Sequence, residues 1–320
     1  MRHPRANSNS LLRTLCALLA SALLTALASK AECAPQAELL SISTSDGVLL
    51  HGLLYSASKR SNRVVIHIPG GPGAFYSVQD MAPMATALNR TGWHFLSMNT
   101  RTAGSGFESL AYAHFEDYRQ DVAAAIELAR DRGLTDVVLL GHSLGTARVA
   151  YYLAGRTDPS ASRAHLRGVV LGGSILSPYL EAQMRWSPEQ RAQFDAFLAR
   201  QREQIAANKP RVLDSYPWAP GRNIELSAAA WVSVFGNPQD SNASTVKFAS
   251  AFDVPVLLVH GTEDKTALPE NARQLYAALE GSPSRELVWI DGGDHLFRGH
   301  ESQYAKAVTT WLARRVENAH

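Results

Sequence analysis

The pentapeptide Gly141-His142-Ser143-Leu144-Gly145 constrains this chain more than any other stretch. It follows an apolar run, Val137-Val138-Leu139-Leu140, and precedes a helix-forming segment from Leu144 to Leu153. A strand that becomes a helix over so few residues is crowded, and glycines two residues either side of the serine relieve the crowding. The turn strains the serine backbone, which persists only because the flanking strand and helix over-determine it. It also projects the hydroxyl from the C-terminal edge of a sheet. By itself G-x-S-x-G is a common turn sequence. The strand and helix beside it make Ser143 a candidate nucleophile.

The surrounding rhythm supports that placement. Leu39 to Ser43 and Val48 to Tyr55 flank Asp46-Gly47, a hairpin-turn signal, so they read as an antiparallel pair at a sheet edge. Val64 to Ile68, Trp93 to Met98, Leu166 to Leu171, Val254 to Val259 and Glu286 to Ile290 are short apolar runs suited to strands covered on both faces. Between them lie helical patterns. Ser77 to Asn89 reads as a helix with Met81, Met84 and Leu88 on one face, restricted by Pro83 to the second half of that span; Tyr118, Val122, Ile126 and Ala129 share one face; Pro269 opens a helix that closes before Gly281; and Tyr304, Val308, Trp311 and Leu312 form the last. Strands alternating with helices imply a mostly parallel central sheet flanked by helices, an α/β architecture.

The rhythm breaks from about Ser177 to Lys247. Ser187-Pro188-Glu189-Gln190 is a helix start with serine cap, proline and capping glutamine. Phe194, Phe197, Leu198 and Ile205 follow on one face, and Pro210, Pro217, Pro220 and Gly221 interrupt the segment. The expectation is an inserted, mostly helical cap at about 177–247 over the functional edge of the sheet.

Composition narrows the class. The chain has 320 residues and a formal charge of +2, with no basic block that would suit nucleic acid. Arg2, Arg5 and Arg13 precede an uncharged Leu/Ala run from Leu15 to Ala28, with small residues after it. That layout predicts a signal peptide over 1–31, cut after Ala28 or Ala31, and a secreted or periplasmic protein without a stable membrane span. An uncleaved anchor, a transit peptide, or lipidation at Cys33 are the alternatives. Removing 1–31 takes away Arg2, Arg5, Arg13 and Lys30 and no acid, moving the charge from +2 to −2. Such a balance fits a small-molecule substrate. Cys33 is then the single cysteine left of Cys16 and Cys33, so no internal disulfide can form. No H-E-x-x-H or comparable spacing occurs, and neither metal nor cofactor is expected.

A serine hydroxyl needs a base to take its proton, and the base needs an acid to orient it. The α/β order for these groups is serine, acid, histidine. Asp264 follows the run ending at Val259, with Glu263 beside it as an alternative acid; His295, in Asp291-Gly292-Gly293-Asp294-His295, is the candidate base. His142 reads as a packing or hydrogen-bonding residue, and Asp294 as a turn former. A developing oxyanion needs two backbone donors: the N–H of Leu144, and one from Pro69-Gly70-Gly71-Pro72-Gly73. Pro72 has no N–H, so Gly71 is the choice, with Gly70 and Gly73 as alternatives.

From Leu39 onward the chain resembles the α/β-hydrolases, carried by Gly-His-Ser-Leu-Gly-Thr, the late His-Gly-Thr-Glu-Asp, and Gly-Gly-Asp-His. Pro69-Gly70-Gly71-Pro72-Gly73 resembles the His-Gly-Gly-Pro-Gly of proline iminopeptidases, with Pro69 in place of the histidine. Phe95 to Arg101, Ser227-Ala228-Ala229-Ala230-Trp231 and Phe235-Gly236-Asn237-Pro238 are similar to hydrolases related to siderophore-ester esterases. The resemblance implies a serine hydrolase that cleaves carboxylic esters. A proline-iminopeptidase-like aminopeptidase would need an acidic site for a free amino terminus, for which Glu181, Glu189 and Glu203 are the candidates. A non-catalytic binding protein on this fold is the alternative from another class.

Overall fold

The computed structural model describes residues 36–71, 73–76, 79, 81–103, 111–155, 166–219 and 221–315. The expected signal peptide and Cys33 lie outside the described residues.

Strands β1 (Ala37–Ser43) and β2 (Leu49–Tyr55) pair antiparallel as expected around Asp46-Gly47. Strands β3 (Arg63–Ile68), β4 (His94–Met98), β5 (Asp136–His142) and β6 (Leu166–Gly172) follow. Strands β9 (Val256–Gly261) and β10 (Arg285–Ile290) complete the sheet. The sheet order is β1-β2-β4-β3-β5-β6-β9-β10, eight strands, antiparallel only at β1, β2 and the β2–β4 contact. All pairings from β4 to β10 are parallel, so their C-terminal ends share one rim.

Period-two alternation divides the sheet between two cores. Val64, Ile66, Val137, Leu139, Val169 and Leu258 face one side, with helices α2 (Tyr118–Asp131), α3 (Leu144–Ala154) and α7 (Pro269–Ala278). Val65, Phe95, Val138, Leu140, Val170 and Leu257 face the other, with α1 (Ala82–Arg90) and α8 (Glu301–Arg315). Pro83 sits in the first turn of α1, where its missing N–H costs nothing. Arg101, after β4, bonds Asp46 of the hairpin and buried Asp121 of α2, each at 2.8 Å, and so anchors the loop that leaves the sheet there.

Between β6 and β9 the chain forms α4 (Pro178–Arg185), α5 (Pro188–Ala206), β7 (Leu213–Ala219), β8 (Arg222–Ser227) and α6 (Ala228–Phe235), then a 3-10 turn, Val246–Ala251. Ser187 and Gln190 close the expected capping box on α5. The antiparallel β7–β8 hairpin modifies the expectation of a mostly helical segment. Phe194, Phe197, Trp231 and Phe235 make a separate core here, with rings of Phe197 and Trp231 4.9 Å apart. Trp231 is fully buried and its Nε1 donates to the Asp214 carbonyl at 2.9 Å. Trp231→Ala should therefore cost about 3–5 kcal/mol, read as a lower urea midpoint. A midpoint unchanged within error would mean that this cluster is not a cooperative part of the fold.

Candidate active site

The elbow geometry follows from what the sequence leaves out. Ser143 has φ 54° and ψ −124°, a left-handed backbone rare for a residue with a side chain. Such strain costs about 1–3 kcal/mol and is held by its surroundings. Its N–H donates to the Gly172 carbonyl at 3.0 Å, and its carbonyl accepts from the Thr146 N–H at 3.0 Å. A methyl group on Gly145 would lie 2.1 Å from the Ile68 carbonyl oxygen, so only glycine lets α3 pack this close to the end of β3.

Three side chains from separate strand ends meet at the rim. The Ser143 hydroxyl donates to His295 Nε2 at 2.9 Å. His295 Nδ1–H donates to Asp264 Oδ2 at 2.8 Å. Asp264 Oδ1 accepts from the backbone N–H groups of Thr266 and Ala267, both at 2.8 Å, and the side chain is buried. Glu263 points to the exposed side. An imidazole held this way presents a lone pair to the serine and keeps its proton on the acid side. That is the arrangement needed to draw a proton from a hydroxyl and stabilise the resulting imidazolium.

The neighbouring residues divide as their chemistry suggests. His142 Nε2–H donates to the His295 carbonyl at 2.8 Å and so fixes the backbone of His295. Asp294 Oδ1 accepts from the Leu296 and Arg298 N–H groups, both at 3.0 Å, and shapes the turn. The first residue of α3, Leu144, and Gly71, with φ 48°, flank the serine. Among the described residues nothing accepts from either N–H, leaving both available as donors. Gly70 is closer still: a methyl group there would meet the Ser143 Cβ at 2.5 Å.

Ser143 stands between two cavities. One, about 270 Å³, is mainly apolar and is lined by Ile175, Trp218, Ile224, Leu226, Val234 and Phe235, with Glu181, Arg148, Arg185 and Arg222 also in its wall. The other, about 790 Å³, is the more polar of the two and is lined by His295, His67, Gln79, Glu263, Lys265 and Arg298, among others. Glu181 Oε1 accepts from the Leu176 N–H at 3.2 Å and from Asn271 Nδ2 at 2.5 Å. Burial pushes its carboxyl up. Glu189 and Glu203 are exposed on α5 and line neither cavity.

Three histidines near the rim are buried. Burial pushes His67 down to about 3, holds His142 well below the ordinary imidazole range and lowers His260. Each binds its proton less readily folded than unfolded, so the unfolded chain binds more protons below about pH 6.5. The stability they carry is complete above that pH and is lost as pH falls toward the depressed folded values. Unfolding at about pH 5 should take up roughly one proton for His67 and one for His142, measured from the pH slope of the urea stability. His67→Gln should lower that uptake by about one proton; an unchanged slope would contradict the burial effect.

Two features escape a reading of motifs. The β7–β8 hairpin supplies Trp218 and Ile224 to the apolar cavity. Arg148 reaches under the loop that holds Pro69 and Gly71, as one charge in an otherwise uncharged helix. That lone charge is the signal by which the sequence could have revealed it.

A sheet whose parallel strands end at one rim, with the serine turn at the end of β5, is the architecture of the α/β-hydrolases. Within that class the chain belongs to the serine aminopeptidase, S33, family of hydrolases, whose profile matches residues 62–302. It is similar to a non-heme haloperoxidase of Rhodococcus erythropolis, 26% identical over 239 residues, covering 68% of this chain and 81% of that one. An uncharacterised abhydrolase domain-containing protein of Dictyostelium discoideum is 26% identical over 102 residues. That match spans 30% of this chain and only 10% of the Dictyostelium protein's length. Among solved structures, Est1E of Butyrivibrio proteoclasticus with bound ferulic acid superposes with a TM-score of 0.64 at 17% identity. The superposition covers 87% of this chain and all of that one, a likeness of fold.

Proposed function

We propose that the protein is a serine hydrolase that cleaves carboxylic esters through an acyl-enzyme on Ser143. The observation that carries this reading is the hydrogen-bonded chain from Ser143 Oγ through His295 to Asp264, opening onto an apolar cavity. His295 takes the serine proton as Ser143 attacks the ester carbonyl, and the N–H groups of Gly71 and Leu144 receive the oxyanion. His295 then protonates the departing alkoxide. Water, deprotonated by the same imidazole, releases the acid and restores the serine.

The two cavities assign the two halves of the substrate. The group that His295 protonates must leave on the side His295 faces, and His295 lines the polar cleft alone. The alcohol therefore belongs in the polar cleft and the acyl group in the apolar cavity. Residues 177–247 act as a cap that supplies most of the acyl wall. Residues 1–31 act as a signal peptide for a secreted or periplasmic enzyme. No helix of the described residues is long and apolar enough to cross a membrane.

The family description brings a second reading, an aminopeptidase. Glu181 favours it by position, because it lies in the cavity wall. Its chemistry disfavours it: burial disfavours the ionised carboxylate, and Oε1 already accepts from Leu176 and Asn271. A panel of nitrophenyl esters and aminoacyl amides, run with the purified protein, separates the readings. Ester turnover with a preference for short or medium apolar acyl groups is expected; turnover confined to substrates with a free amino terminus would replace the esterase reading. Failure of a fluorophosphonate to label Ser143 would favour a non-catalytic protein.

A further inference from the structure

Arg148 is the only charged residue of α3 and is 1% exposed. Among the described residues no carboxylate lies within ion-pair distance of it. The Asp121 carboxylate favours its charge only from beyond contact, and removing a guanidinium from water without a direct ion pair is costly, so its hydrogen bonds must recover much of that cost. Nη1 donates to the Pro69 carbonyl at 2.5 Å and Nη2 to the Gly71 carbonyl at 2.6 Å. The guanidinium also lies 4.0 Å from the centre of the Tyr118 ring, and the Tyr118 hydroxyl is 2.9 Å from Thr102 Oγ1.

The placement of those carbonyls matters. They belong to the peptide units immediately before and after the one that carries the Gly71 N–H. Pinning both neighbours fixes the direction of the unit between them, at a glycine whose backbone would otherwise rotate freely. The anchor is α3, whose first residue, Leu144, supplies the other donor. From the far side of the loop, the Thr100 N–H and hydroxyl donate to the Gly73 carbonyl at 3.1 and 3.2 Å.

We propose that Arg148 is a positioning residue that holds the Gly71 N–H in fixed register with the Leu144 N–H, so that both converge on one oxyanion. The proposal rests on the serine-hydrolase reading of Ser143. A preorganised donor pair acts on the transition state far more than on bound substrate, so its loss falls on kcat.

The test compares an ester with its thionoester, in which sulfur replaces the carbonyl oxygen and accepts hydrogen bonds poorly. Wild type, Arg148→Met and Arg148→Lys are measured on both. For Arg148→Met the oxo-ester kcat should fall about 10²-fold with KM within about threefold, and the oxo-to-thiono ratio should fall at least about tenfold. Arg148→Lys should recover part of the ratio. Equal losses on both substrates, or a change confined to KM, would show a merely structural arginine and overturn the proposal. If the Arg148 variants do not fold, Tyr118→Leu decides, since it removes the ring that packs on the guanidinium while residue 148 stays arginine. A ratio several-fold lower supports the proposal, and an unchanged ratio overturns it. A wild-type protein inert to all esters sinks the ester reading instead. Arg148 is then judged by the rate of fluorophosphonate labelling of Ser143, slower in the variants if the proposal holds and unchanged if it does not.

Discussion

Ser143→Ala is expected to lower kcat toward nitrophenyl esters by about 10⁶-fold while the fold survives. The size follows from the chemistry. Alanine removes the nucleophile and leaves the imidazole with nothing to deprotonate but water, which is unpositioned in the acylation step. Stability should not fall, because alanine at φ 54° carries the same backbone strain as serine and loses only one hydrogen bond, to His295. The measurement is steady-state hydrolysis beside thermal unfolding. Residual activity above about a hundredth of wild type would remove Ser143 from the mechanism, provided that contaminating hydrolases are absent.

The second large effect is expected at Asp264→Asn, a change of one atom. Asp264 Oδ1 already accepts two backbone N–H groups, from Thr266 and Ala267. The amide oxygen of asparagine must keep that place, so its NH₂ turns toward His295 Nδ1. That nitrogen then has to accept, and the imidazole proton moves to Nε2, facing Ser143. A base carrying its proton on the wrong nitrogen cannot take another. kcat should fall about 10³- to 10⁴-fold with little change in KM. Glu263→Gln, at an exposed neighbour, should change kcat by less than about threefold. The opposite pattern, a large loss at Glu263 and a small one at Asp264, would transfer the acid role to Glu263.

The sheet was legible because its strands are buried on both faces and so read as uninterrupted apolar runs, with Val64 to Ile68 the clearest. The positions of Ser143, Asp264 and His295 were legible because each follows such a run in a Gly- or Asp-rich loop. Their convergence was not written in any local stretch; it arises from parallel pairing, which puts distant strand ends on one rim. The hairpin of the insertion was obscured by Pro217, Pro220 and Gly221, which read as breaks. Yet Tyr216 and Trp218 on one strand, and Ile224 and Leu226 on the other, recur at strand period and turn toward one cluster. Pro217 is tolerated because a two-stranded sheet is all edge. Arg148 was hidden for a different reason: its partners are main-chain carbonyls, which have no residue identity to read.

The position of Ser143 between a small greasy chamber and a broad wet one has a temporal consequence. Under the proposed assignment, the first product vacates the same space that the second reactant must fill, while the retained half stays sheltered on the other side. Any small hydroxyl compound that wanders into the emptied space competes with water on equal geometric terms. The shape of the site thus favours exchange of one alcohol for another as a built-in side reaction, with its extent set by how crowded the wet chamber is.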